Sequence, residues 1–265
     1  LNIDVLELTI VFFKYDGKRE IPALQPFPVH LLPYPLQPDA YWSRRENPSV
    51  SIGVSLSIAP TRYDPSTHTS LDIVLTARIL ESPQPDRPIT LDTSLNPFGS
   101  LRFNCFKNII CVSNEGSQPR KSIEIQTKCR FRKEGLRDLD VREQWKFITL
   151  EPNKSLEIRH EVPRDAIDAA GLQDGEVYRA ELTDLGLGTW WWMYGAMDEA
   201  GDKKFMRWSS RGVEGEKQYR SENIDTLGEP LEEEMWEDSS EWIMGEDPMK
   251  LAIVIEKREA EFEVV

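Results

Sequence analysis

Residues 50–58, VSIGVSLSI, alternate without a break. Val50, Ile52, Val54, Leu56 and Ile58 take one side of an extended chain, with serine or glycine on the other. Successive side chains of a strand point to opposite faces, so the pattern specifies a half-buried strand. The same signal recurs at 71–80 (LDIVLTARIL), 88–95 (PITLDTSL), 101–112 (LRFNCFKNIICV) and 122–131 (SIEIQTKCRF). It continues at 145–150 (WKFITL), 155–162 (SLEIRHEV) and 177–185 (VYRAELTDL). NPFG, NEGSQP, EPNK and QDGE punctuate these runs. Short strands broken by such turn residues predict an antiparallel, all-β sandwich rather than βαβ units. Helical periodicity is scarce; RDAIDAAGL, 164–172, predicts one short turn of helix.

The stretch GLQDGEVYRAEL, 171–182, carries the finer fold expectation. Its Leu-x-x-Gly-x-x-Tyr spacing resembles the tyrosine corner of immunoglobulin-like and fibronectin-III-like sandwiches, in which a tyrosine hydroxyl bonds back to upstream backbone. By that resemblance Tyr178 is the corner, Leu172 plugs the core and Gly175 supplies the turn. The layout of 49–195 is also similar to a set of fungal predicted proteins with an immunoglobulin-like β-sandwich. SLDIVLTARIL, RPITLDTSLNPFGSL, FITLEPNKSLEI and GLQDGEVYRAEL leading into GTWWWMYG carry it. That resemblance implies a fold and no catalytic residues.

Around the predicted sandwich, 49–195, lie two extensions. Residues 1–48 hold a strand-like run, DVLELTIVFF, and a proline-rich segment with Pro22, Pro26, Pro28, Pro33, Pro35 and Pro38. Those prolines forbid a helix or a central strand. Residues 196–265 begin with KKFMRWSS, 203–210, expected to form a hairpin with the preceding tryptophan strand through MDEAGDK. An acidic, aromatic stretch follows, in which Leu231, Met235, Trp242 and Ile243 fall on one side of a short helix. KLAIVIEKREAEFEVV, 250–265, closes the sequence as strand and is expected to pair with the N-terminal strand.

The aromatic run GTWWWMYG, 188–195, is the sharpest functional feature. Alternation sends Trp190, Trp192 and Tyr194 one way and Trp191 and Met193 the other. One set is then either covered by the extensions or exposed as a flat platform that stacks sugars or anchors a protein. Met235, Trp236 and Trp242 form a second candidate contact for a protein partner.

Charge and motif content exclude more than they assign. There are 46 acidic against 32 basic side chains, a formal net charge of −14. Such a chain repels nucleic acid and anionic membrane; the short basic run KCRFRK, 128–133, alternates like a strand. No apolar run reaches the length of a membrane span. Three cysteines (Cys105, Cys111, Cys129) fit a reducing, cytoplasmic compartment better than a disulfide scaffold. The chain begins at Leu1, so a leader is not excluded. His30, His68 and His160 lack metal-ligand spacing, and the acidic turn of Asp198, Glu199 and Asp202 lacks an EF-hand pattern. No nucleophile or phosphate-loop motif is present. The expectation is a non-catalytic β-sandwich that binds a protein, with no cofactor and no metal. The alternatives are a carbohydrate-binding module built on Trp190–Tyr194 and a hydrolase assembled around His160 or His68.

Overall fold

The computed structural model describes residues 48–93, 96–99, 109–112, 121–123, 140–142, 145–183, 187–212, 215, 218 and 241–265. All of them belong to the unit Pro38–Val265. In chain order the strands are β1 (Val50–Ala59), β2 (Arg62–Tyr63), β3 (Asp72–Glu81), β4 (Ile89–Asp92), β5 (Ile109–Cys111), β6 (Ser122–Ile123) and β7 (Phe147–Leu150). Then come β8 (Ser155–Glu161), helix α1 (Arg164–Ala170), β9 (Val177–Glu181), β10 (Trp192–Tyr194), β11 (Lys204–Met206), β12 (Trp242–Met244), β13 (Leu251–Lys257) and β14 (Glu259–Val264). The all-β expectation is met. The proline-rich segment, the 4–13 strand, KCRFRK, Cys105, Cys129, His30, Met235 and Trp236 lie outside the described residues.

Four ladders organise these strands, in the orders β13-β1-β3-β8, β2-β14-β9-β5-β6, β10-β4-β7 and β11-β12. The alternation of β1 acts as predicted: Val50, Ile52, Val54 and Leu56 are fully buried. They share one hydrophobic cluster with Ile73 and Leu75 of β3, Tyr178 of β9, Trp192 of β10 and Phe262 of β14. The first three ladders thus bury their apolar faces together, which is what makes each strand's period-2 pattern energetically decisive.

Gly53 explains itself on the opposite face of β1. It sits between Arg78 of β3 and Val254 of β13. With no side chain there, Glu256 reaches across the central strand and takes both bonds of the Arg78 guanidinium, Nε donating at 3.0 Å. A β-carbon on Gly53 would meet the Glu256 carboxyl and Leu80.

Three expectations for the C-terminal third are corrected. KKFMRWSS does not pair with the tryptophan strand: β11 runs parallel to β12, Lys204 opposite Trp242 and Met206 opposite Met244. Trp242 and Ile243 are therefore in a strand, not on a helix. Their spacing with Leu231 and Met235 suggested the apolar side of a helix, but the ladder to β11 and the burial of Trp242 won. The final run is two strands rather than one, and its expected pairing with the 4–13 strand lies outside the described residues. β13 lies parallel to β1, while β14 lies antiparallel to β9 and parallel to β2, so the chain changes sheets at Arg258.

Candidate functional site

The alternation of the aromatic run is correct, and both of its faces are covered. Trp192 enters the large core with Tyr194 packed against it. Trp191 and Met193 enter a second cluster with Val141, Ala200 and Phe205. Trp191 is 0% and Trp192 1% exposed. An aromatic platform on Trp191 and Trp192 is thereby corrected, since neither ring has a face left for a sugar. Trp190 and Tyr194 are half-buried. Burial raises the Tyr194 phenol above its ordinary value, against a hydrogen bond with Ser82 and with Glu246 adding to the rise.

Residues after Gly195 join Val141 and Phe147 in covering Trp191. Trp191 stacks on Phe205 at 4.4 Å between centroids and meets Phe147 edge-on at 5.2 Å. Its Nε1 donates to the Met206 carbonyl at 2.9 Å, and the Gly245 amide donates to the same oxygen at 2.9 Å. Trp192 is held likewise: its Nε1 donates to Asp247 O, and its carbonyl accepts from the Glu246 amide. Trp242, the described member of the second candidate contact, is buried with the Lys204 ammonium 5.5 Å from its ring centroid. Trp242 itself therefore offers little surface to a partner.

Tyr178 is fully buried, and its hydroxyl donates to the Glu176 carboxylate at 2.7 Å. Gly175 has φ +78 and makes the turn, and Leu172 packs on the core. Lys121 closes the arrangement at 2.9 Å from the other Glu176 oxygen. Burial alone pushes the Glu176 carboxyl up; the hydrogen bonds from Lys121 and Tyr178 and the Lys121 charge outweigh it and hold the group below its ordinary value.

The two described histidines do not converge on a site. The His68 Nδ1 accepts from the Asp64 amide at 2.9 Å within a turn, and its ring stacks on Tyr63. The His160 Nε2 donates to the Pro97 carbonyl at 2.8 Å. Burial lowers His160 below its ordinary 6.5, against the bond to Pro97. Among the described residues no three His, Cys, Asp or Glu side chains are grouped to hold a metal. Because folded His160 resists protonation, it contributes stability above about pH 6.5 that is lost as pH falls toward its folded value. Urea unfolding at a series of pH values is expected to show that loss in the native chain. A His160→Gln chain should show a flatter profile between about pH 7 and 5; parallel profiles would refute the assignment.

Sequence reasoning missed the edge of β8. Among the described residues β8 pairs with β3 and with no strand on its other side. The Val162 amide donates to Leu71 O in the same antiparallel register. Hydrogen-bonded pairs alternate along such a ladder, so Ile73 with His160, Leu75 with Ile158 and Ala77 with Leu156 exchange bonds. The peptide groups of Ser155, Glu157, Arg159 and Glu161 therefore point away from β3. Their side chains are exposed, whereas Leu156, Ile158 and His160 face inward and are half-buried. Leu156 and Ile158 pack against the core at the point where the sheet ends.

Comparisons with family models, curated proteins and solved structures find no match to this chain. Among the described residues no helix is long and apolar enough to cross a membrane.

Proposed function

We propose that this chain is a non-catalytic protein-interaction module of the immunoglobulin-like sandwich class, and that it engages its partner by strand addition along β8. Three ladders feeding one core, with a buried Tyr178 beside the Gly175 turn, support the sandwich class. The observation that carries the function is the run of outward peptide groups on β8 beside half-buried Leu156 and Ile158. A strand laid there satisfies the exposed donors and acceptors and completes the apolar cover in one step. Main-chain bonds then give affinity, and alternate side chains give specificity. The exposed order Glu157, Arg159, Glu161 favours a strand that alternates basic, acidic and basic residues on its outer face.

The test uses a synthetic strand peptide with valine at alternate positions and lysine, glutamate and lysine between them. Binding is expected by fluorescence anisotropy, with amide-exchange protection appearing at Glu157, Arg159 and Glu161. Arg159→Pro removes an amide that points away from β3, a change an edge strand tolerates, and should abolish binding while leaving the unfolding midpoint close to native. Equal binding by the proline variant, or none by the native chain, would refute the reading.

A further inference from the structure

We infer that the strand which docks on β8 is β8 of a second copy of this chain, giving a twofold-symmetric dimer with one continuous sheet. The inference rests on the edge reading above and names its occupant. Its basis is the sequence of the strand, Ser-Leu-Glu-Ile-Arg-His-Glu from 155 to 161. Placed antiparallel about a twofold axis through Ile158, each copy sets Glu157 opposite Arg159 of the other, so the complementary pair occurs twice. A twofold contact must be self-complementary in this way.

Register and peptide geometry agree with the charges. In this alignment Ser155 faces Glu161, and Glu157 faces Arg159. All four are residues whose peptide groups point away from β3. Every outward donor and acceptor of β8 thus meets an outward group of the partner strand. Ile158 meets its own symmetry mate at a non-hydrogen-bonded position, where side chains approach most closely. Both isoleucines lie on the inward face, and each covers the half-buried surface of the other. Leu156 meets His160 on that same face.

The other alignments are worse. A one-residue slip sets outward peptide groups against inward ones and puts the apolar residues on the wrong face. An axis through Glu157 opposes like carboxylates, and an axis through Arg159 opposes like guanidinium groups. Axes through Leu156 or His160 shorten the overlap, and the His160 axis brings Glu157 against Pro163, which has no amide hydrogen to give. Only the axis through Ile158 overlaps all seven residues. In the isolated chain Arg159 instead bonds Glu157 of its own strand at 3.1 Å and lies 3.9 Å from Asp72. The Glu157 contact is solvent-exposed and the half-buried Asp72 is at the long limit of an ion pair, so exchanging them for the other copy's Glu157 loses little.

Sedimentation over a concentration series tests the dimer directly. The native chain is expected to pass from monomer to dimer. Glu157→Arg alone places arginine against arginine across the axis, and Arg159→Glu alone places glutamate against glutamate. Each variant by itself is expected to stay monomeric with a native circular-dichroism spectrum. Mixed in equal amounts, the two are expected to form a heterodimer, because the opposed pairs are again complementary. A native chain monomeric throughout, a dimer indifferent to either substitution, or a mixture that stays monomeric would overturn the inference. If the chain is monomeric while the synthetic strand peptide still binds and Arg159→Pro still abolishes binding, the self-pairing falls and the edge reading stands. If the peptide also fails, both fall.

Discussion

Gly245→Ala is expected to cost about 3 kcal/mol of unfolding free energy, the upper end for forcing extra volume into a packed interior. A β-carbon at Gly245 would lie 2.5 Å from Cδ1, 2.7 Å from Nε1 and 3.0 Å from Cγ of Trp191. The indole has nowhere to retreat. It is stacked on Phe205, edged by Phe147 and tied through Nε1 to the Met206 carbonyl. The alternative is for the Gly245 backbone to withdraw, which breaks its own bond to that carbonyl and loosens the Glu246 bond to Trp192. Trp191→Ala should cost at least as much, about 3–5 kcal/mol, through the cavity it leaves. The two effects are coupled. Trp191→Phe removes Nε1 and shortens the ring, so in the Gly245→Ala background it should cost much less than in the native chain. Additive losses in a urea-unfolding cycle would show that the alanine acts somewhere other than on this ring.

That glycine also marks the limit of what the sequence disclosed. The alternation of β1 and β3 located a core face correctly because one periodicity, read locally, decides which side chains are buried. The same argument divided Trp191 from Trp192 between two faces. It offered the extensions as one possible cover for the second face, and Phe205 and Gly245 do come from 196–265, but their charged flanking sequence gave no sign that these two residues would meet Trp191. Trp242–Met244 shows the same difficulty: residues spaced for a helical face became strand once β11 offered a ladder. The position of β8 at the end of its sheet was less legible still. SLEIRHEV was recognised as a strand, but whether a strand ends a sheet depends on its neighbours. Nothing in the local pattern distinguishes an edge from an interior strand with one polar face. The self-complementary order of Glu157, Ile158 and Arg159 was visible in the sequence, but acquired meaning only when its peptide groups were found to point outward.

Lys121→Met is expected to destabilise the fold by about 3 kcal/mol at neutral pH, the low end for removing one partner of a buried ion pair. The low end applies because the Lys121 side chain is 33% exposed while that of Glu176 is only 7%. Water can replace part of the lysine, but it cannot reach the carboxylate as readily. The change in pH dependence discriminates better than the loss itself. In the native chain the Glu176 carboxyl is held below its ordinary 4.5 even though burial pushes it up. Such a group contributes stability above about pH 4.5 that disappears as pH falls through its lower folded value. Removing Lys121 takes away a hydrogen bond and a positive charge that oppose burial, leaving the Tyr178 hydroxyl and a backbone donor at Gln173 to hold the carboxylate. The folded carboxyl must then titrate higher, and less stability is left to lose on acidification. Urea unfolding from about pH 7 to pH 3 should therefore show two curves that are far apart at neutral pH and converge in acid. A constant gap would mean that Lys121 stabilises through the packing of its methylenes and not through Glu176. Tyr178→Phe supplies the control: it too should raise the carboxyl, so combining it with Lys121→Met should flatten the acid limb further than either change alone.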